Sequence, residues 1–316
     1  MNLMCQSLLF VSSFFFSLSL TASCCGGDSH PWPPALSAKG GVGYRQDKFN
    51  WSIAGPHGDP NILSELEWED LEMVQAYGEF RYVSCTNYVI KIEGDVGHIY
   101  SGHNTDSDYH KHDRKDLFSR SENKAGKGFV YDAQAAVGYQ YRSTCSRFVA
   151  APLIGWSFHE QSLHLFDGIS AFEAAHPGTI RPLVALDSTY RARWSGPWIG
   201  GDFTARVESC AYVFGGIECH LARYHGLGNW NLRPEIRSFI QRANGYGFIA
   251  RLGGNWDIWD NWSLGVLGEY RRFCTRKGSD HLNVIAENGD LVSLRSRLNL
   301  AKWEAAMVSA FVSWRY

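Results

Sequence analysis

The sequence predicts an all-β chain that closes into an antiparallel transmembrane β-barrel of about ten strands. Three observations predict it. Period-two alternation recurs along most of the 316 residues, the gaps between alternating segments are short and long by turns, and no apolar run beyond residue 22 could cross a bilayer as a helix. A membrane chain without spanning helices must satisfy its backbone hydrogen bonds as a closed barrel.

The N-terminus reads as an export signal. Leu8 to Leu20 (LLFVSSFFFSLSL) is an apolar run of 13 residues, too short for a transmembrane helix, and the small residues Thr21, Ala22 and Ser23 follow it. The segment before the run, MNLMCQS, carries no Lys or Arg. Lipid attachment at Cys24 is an alternative, but Thr21 stands where that signal has Leu. The chain therefore divides into a signal peptide (1–23), an N-terminal periplasmic segment (24–39) and a barrel (40–316), and the expected location is the outer membrane of a Gram-negative envelope.

Ten strands are predicted at 40–57, 61–82, 87–102, 127–143, 147–165, 185–207, 211–227, 240–257, 261–276 and 300–316. Three show the split of faces plainly. Tyr88, Ile90, Ile92, Gly94 and Val96 oppose Lys91, Glu93 and Asp95. Tyr131, Ala133, Ala135, Val137, Tyr139 and Tyr141 oppose Asp132, Gln134, Gly138, Gln140 and Arg142. Tyr246, Phe248, Ala250, Leu252, Gly254 and Trp256 oppose Arg251, Asn255 and Asp257. A soluble sandwich also alternates. The membrane reading comes from aromatics at the ends of the apolar faces, where a ring is stable half in lipid, and aromatic residues make up 14% of this chain.

The connections give orientation. Turns near 83–86, 144–146, 208–210 and 258–260 are tight, whereas the breaks at 103–126, 166–184, 228–239 and 277–299 are long and polar. Only the first outer connection, around Gly58 to Pro60, is short. Short periplasmic turns with long external loops are the rule for outer-membrane barrels, and an even strand count puts both termini in the periplasm. The last strand alternates through Ala306, Val308, Ala310, Val312 and Trp314 to a terminal Tyr316. With 30 Lys+Arg against 32 Asp+Glu, the net charge of −2 excludes nucleic acid as a partner.

If the apolar faces meet lipid, the opposite faces line a lumen. Parity sends Glu79, Glu93, Asp95, Asp132, Asp202, Glu218 and Glu269 inward with Arg81, Lys91, Arg142, Arg206, Arg251 and Arg271. Balanced charge in a barrel of about ten strands predicts either a salt-bridged plug or a narrow polar pore. Of the eight cysteines, Cys85, Cys145 and Cys210 fall in tight turns on the predicted periplasmic rim. Successive rim turns stand about 10 Å apart, beyond the ~7 Å Cα separation a disulfide permits. These thiols are therefore expected to cross-link the barrel to other envelope proteins. Cys219 is expected to face lipid and Cys274 to lie near the outer rim.

Several islands resemble the omptins, ten-stranded outer-membrane proteases. They are Ile62-Leu-Ser-Glu-Leu-Glu-Trp68, Asp106-Ser-Asp108-Tyr109, Pro197-Trp-Ile-Gly200 and Tyr224-His-Gly226. The chain is more similar to the omptin-like Protochlamydia outer membrane protein family, which implies a porin-like barrel in a disulfide-linked envelope. The omptin resemblance implies catalysis by an Asp-x-Asp pair facing an Asp-x-His pair that activates water. Asp106 and Asp108 supply the first. The second should follow Tyr224-His225-Gly226 by about ten residues, but Leu227 to Ile236 (LGNWNLRPEI) holds neither Asp nor His. An incomplete site of this kind predicts a channel or structural envelope component with surface-exposed loops; an omptin-type endopeptidase with a rearranged site is the alternative. His103, His110 and His112 share a loop with the two aspartates but lack fixed ligand spacing, so no metal is predicted. No P-loop, dinucleotide fingerprint, nucleophile elbow or C-x-x-C occurs, and no cofactor is expected.

Overall fold

The structure, a computed structural model, describes residues 36–316 apart from 145 and 146. The signal peptide, Cys24, Cys25 and Cys145 therefore lie outside the described residues. Strands β1 (Leu36–Ile53), β2 (Ser64–Val83) and β3 (Tyr88–Lys111) are consecutive antiparallel staves. β4 (Lys115–Lys124), β5 (Gly128–Tyr139) and β6 (Tyr141–Arg142) succeed one another along a fourth, interrupted stave. β7 (Phe148–Glu173), β8 (Arg181–Arg206), β9 (Ala211–Asn229) and β10 (Ile236–Trp259) follow. β11 (Trp262–Thr275) and β12 (Gly278–Ile285) share the ninth stave, and β13 (Leu291–Arg315) is the tenth. β13 pairs back onto β1 from Ser37↔Arg315 to Ile53↔Leu298, which closes the ring and removes both sheet edges.

The outward face explains why this ring sits in lipid. Val42, Ile92, Val137, Ile154, Ile199, Ile217, Leu252 and Val308 are all exposed and form an apolar band. Tyr82, Tyr88, Tyr141, Trp259, Trp262 and Tyr316 border it at the short-turn end. Tyr44, Tyr100, Tyr131, Trp156, Tyr246 and Tyr270 border it at the other. Two aromatic girdles around an apolar belt are what an interface on each side of a membrane selects.

The outer connections differ from the expected polar loops. Most of 103–126, 166–184, 228–239 and 277–299 continues as strand, so the turns that remain are short: 112–114, 174–180, 230–235 and 286–290. Beyond the girdle both faces of a stave can be wet, so hydropathy falls to loop values while the backbone ladder persists. β3 with β4, β7 with β8, and β12 with β13 project as hairpins above the membrane band. The fourth stave bends where β4 gives way to β5, at Gly128 (φ 133°); a Cβ there would strike the Ser162 carbonyl.

Candidate functional site

The interior is packed in two layers. Within the membrane band many inward residues are charged, set beside two smaller apolar clusters, one around Val89, Leu153 and Trp198 and one around Tyr77, Leu267 and Met307. Arg45 binds Asp47 (2.7 Å), Asp95 (3.1 Å) and Asp132 (2.6 Å). Arg271 binds Asp95 (2.7 Å) and Asp132 (2.6 Å) from the opposite wall and also reaches Glu269. Arg251 meets Glu93 at 2.6 Å and engages Glu218 and Glu269. Lys91 spans Glu93 (2.9 Å) and Asp202 (3.2 Å), and Arg81 donates to the same Asp202 (3.0 Å). Lys39 holds Glu79 at 2.9 Å. A cavity of about 10 Å³, room for one water, is all that separates these groups around Asp95 and Asp132.

Eleven of the thirteen charges assigned inward by parity enter this network. The other two, Arg142 and Arg206, lie apart. Arg142 is exposed at the short-turn rim, because its stave breaks at Gln140 and the lumen has opened to solvent by that level. Arg206 rests over the Tyr212 ring (5.5 Å) near the same rim. The network also contains Lys39, Arg45 and Asp47, which the clearly alternating strands do not point to. The Arg45-x-Asp47 spacing opposite Tyr44 and Gln46 is the sequence signal for the last two.

Above the charges, on the hairpin side, lies an aromatic layer. Phe49, Trp68, Tyr190, Trp194, Tyr224, Phe273 and Trp303 are all at most 2% exposed. Their rings interlock: Trp194 and Tyr224 stand 4.6 Å apart, Phe273 and Trp303 5.0 Å, Trp68 and Tyr190 5.4 Å. Trp303 Nε1 donates to Asp47 (2.9 Å) and ties the two layers together. Ser157, His220 and Glu218 form a hydrogen-bonded row (3.0 and 3.1 Å) whose composition suits a hydrolase. Each is 1–3% exposed beneath the aromatic layer, so no substrate carbonyl can reach the serine.

Asp106 and Asp108 lie on the extended part of β3, above the band. Ser119 Oγ donates to Asp108 (2.8 Å), while Asp106 Oδ1 is buried without a protein partner. Burial and the neighbouring Asp108 push the Asp106 carboxyl well above the usual range, and Arg233 acts weakly against them. Arg233 belongs to the stretch where the second half of an omptin site would lie, and a guanidinium cannot take a proton from water. The loop histidines do not converge on the aspartates. His110 packs against the Phe118 ring at a tilt (4.4 Å between centroids), and His112 accepts from the Asn61 amide (3.0 Å) and faces Asp59 (3.2 Å). Among the described residues Cys85, Cys210 and Cys219 are exposed thiols outside any disulfide, and the buried Cys274 donates to the Thr275 carbonyl (3.6 Å).

A family model described as Protochlamydia outer membrane protein matches residues 39–316. No curated protein matches the chain. Among solved structures it is similar to the outer membrane protease OmpT from Escherichia coli, with a TM-score of 0.77 at 12% identity over 92% of this chain and 99% of that one. The translocator domain of autotransporter NalP from Neisseria meningitidis gives 0.35 at 11% identity, covering 91% and 90%. The toluene transporter TodX from Pseudomonas putida gives 0.32 at 8%, covering 89% of each. At such identities the likeness is one of fold, and only the first is close enough to carry even that.

Proposed function

The chain belongs to the Protochlamydia outer membrane protein family, and on that premise we propose that it is a closed, non-conducting structural barrel of the envelope that displays ordered hairpins outside. It lies in the bacterial outer membrane. The filled lumen carries the functional reading: a charge layer inside the membrane band is capped by interlocked rings, with a cavity of about 10 Å³ around Asp95 and Asp132. Opening such a plug would separate several buried ion pairs, each costing several kcal/mol to unpair away from water. This favours a structural role over a porin-like channel. Planar-bilayer recording of the purified barrel tests it, with silence expected; steady single-channel steps would restore the channel reading.

The exposed Cys85 and Cys210 support the second part of the proposal, that the short-turn rim is anchored to neighbouring envelope proteins by disulfides in the oxidising periplasm. Non-reducing electrophoresis of intact envelopes should show reducible high-mass bands that Cys85→Ser with Cys210→Ser diminishes. Bands unchanged by both substitutions would remove that part. The proteolytic alternative finds no support in the mouth, where among the described residues Asp106 and Asp108 have no general base beside them to orient water.

A further inference from the structure

We propose that the vestibule at the short-turn end is a binding site for a phosphate-type oxyanion. It is a cavity of about 110 Å³ lined by Lys39, Arg81, Lys91 and Gln140 with Glu79 and Asp202. Arg251 closes it from the lumen side and is fully engaged with Glu93, Glu218 and Glu269. Arg315 stands at the rim, paired with Asp257. Space of this size admits a tetrahedral ion together with several waters.

The polar groups of the vestibule do not balance. Lys39 and the Tyr77 hydroxyl both donate to Glu79, each at 2.9 Å. Arg81 and Lys91 converge on a single oxygen of Asp202, at 3.0 and 3.2 Å. Three cations thus face two lining carboxylates, both already taken. Lys91 alone has a further acceptor, Glu93, and that carboxylate is also held by Arg251.

Gln140 supplies an independent observation. It is 1% exposed, it lines the cavity, and neither its amide nitrogen nor its amide oxygen has a partner. An unmade hydrogen bond at a buried amide costs about 1–3 kcal/mol. A cation or an apolar ligand would leave this surplus of donors unsatisfied. A phosphate, with charge and four acceptor oxygens, can take bonds from Arg81, Lys91, Lys39 and Gln140 together. The ligand can be the free ion or the head of a phosphomonoester, since both present the same oxygens.

The test uses the full mature barrel folded in detergent micelles, titrated with inorganic phosphate at constant ionic strength against chloride, with ³¹P line broadening as the readout. Saturable binding is expected. Arg81→Gln should weaken it roughly tenfold and Gln140→Leu several-fold, as loss of a charge-assisted and a neutral bond implies. Lys48→Gln, on the outer wall, should leave it unchanged. If Arg81→Gln does not fold, Gln140→Leu decides alone. Absence of saturation in the parent protein, or unchanged affinity in both lumen variants, overturns the proposal. A parallel titration with glycerol phosphate separates the sources: tighter binding assigns the site to a phosphomonoester, equal or weaker binding to the free ion.

Discussion

Arg45 is the residue on which the charge layer depends most, and its removal should be measurable as stability. The guanidinium is 1% exposed and meets Asp47, Asp95 and Asp132. The three carboxylates are not equally dependent on it. Asp95 and Asp132 keep Arg271 at 2.7 and 2.6 Å. Asp47 keeps only neutral donors, Gln161 Nε2 (2.8 Å) and Trp303 Nε1 (2.9 Å), and loses the one cation it has among the described residues. Breaking one side of a buried pair costs about 3–5 kcal/mol because the abandoned charge cannot return to water. Arg45→Met should therefore lower the unfolding free energy by about 3 kcal/mol or more, a change of over a hundredfold in the equilibrium constant. Urea titration in micelles, followed by tryptophan fluorescence, reads this directly. In double-mutant cycles, Asp47→Asn should couple strongly to Arg45→Met and Asp95→Asn only weakly, since Arg271 still serves Asp95. A loss below about 1 kcal/mol, or equal coupling to both aspartates, would refute the claim that Arg45 is the layer's indispensable cation.

Two further perturbations probe the layers above. Gly247 faces inward, and a Cβ there would strike the Phe273 ring, which is itself locked against Trp303. Gly247→Ala should cost about 1–3 kcal/mol by overpacking in the same urea assay, whereas Gly40→Ala, with open space around it, should be near neutral. Asp280, 2% exposed on the β12 hairpin and bonded to Ser296 (2.9 Å), has its carboxyl raised by burial to about 6. The folded state then holds a proton that the unfolded chain releases near pH 4. Stability from this group is thus full below about pH 4 and falls as pH rises through about 6. Amide exchange across β12 should show that decline, and Asp280→Asn should flatten it; an unchanged slope in the variant would assign the titration elsewhere.

Much of the barrel is legible in the sequence because its rules repeat. Each stave inside the membrane band must put an apolar side chain outward at every second position, and residues such as Ile90, Ile92, Val137 and Leu252 obey. The tight turns are legible for the same reason, since alternation stops there. The projecting hairpins are not. Asn104, Asp106 and Asp108 alternate with Thr105 and Ser107 on β3, and a sequence polar at every position gives no period to detect. β1 is only half legible, because Gly40, Gly41 and Gly43 blur the two faces just before Arg45 and Asp47.

The aromatic layer is hidden for a different reason. Along β8 from Ser188 to Asp202 the parity of the faces does not change, but the polarity assigned to each face inverts at the girdle. Within the band Ile199 points to lipid and Asp202 into the lumen. A few residues further toward the outside, Arg191 and Arg193 point outward while Tyr190 and Trp194 point inward. Lipid demands apolar atoms outside the ring, and water demands them inside it. A single assumption that aromatic means lipid-facing therefore fails throughout the capping layer, and within the band it fails at Tyr77, Trp198 and Phe311. The inversion is itself a sequence-readable mark. Where a regular alternation keeps its period but exchanges its polar and apolar faces, the stave has left the membrane and begun to cap its own lumen. By that mark Tyr190, Trp194, Tyr224 and Trp303 belong to the layer that lies over the lumen charges.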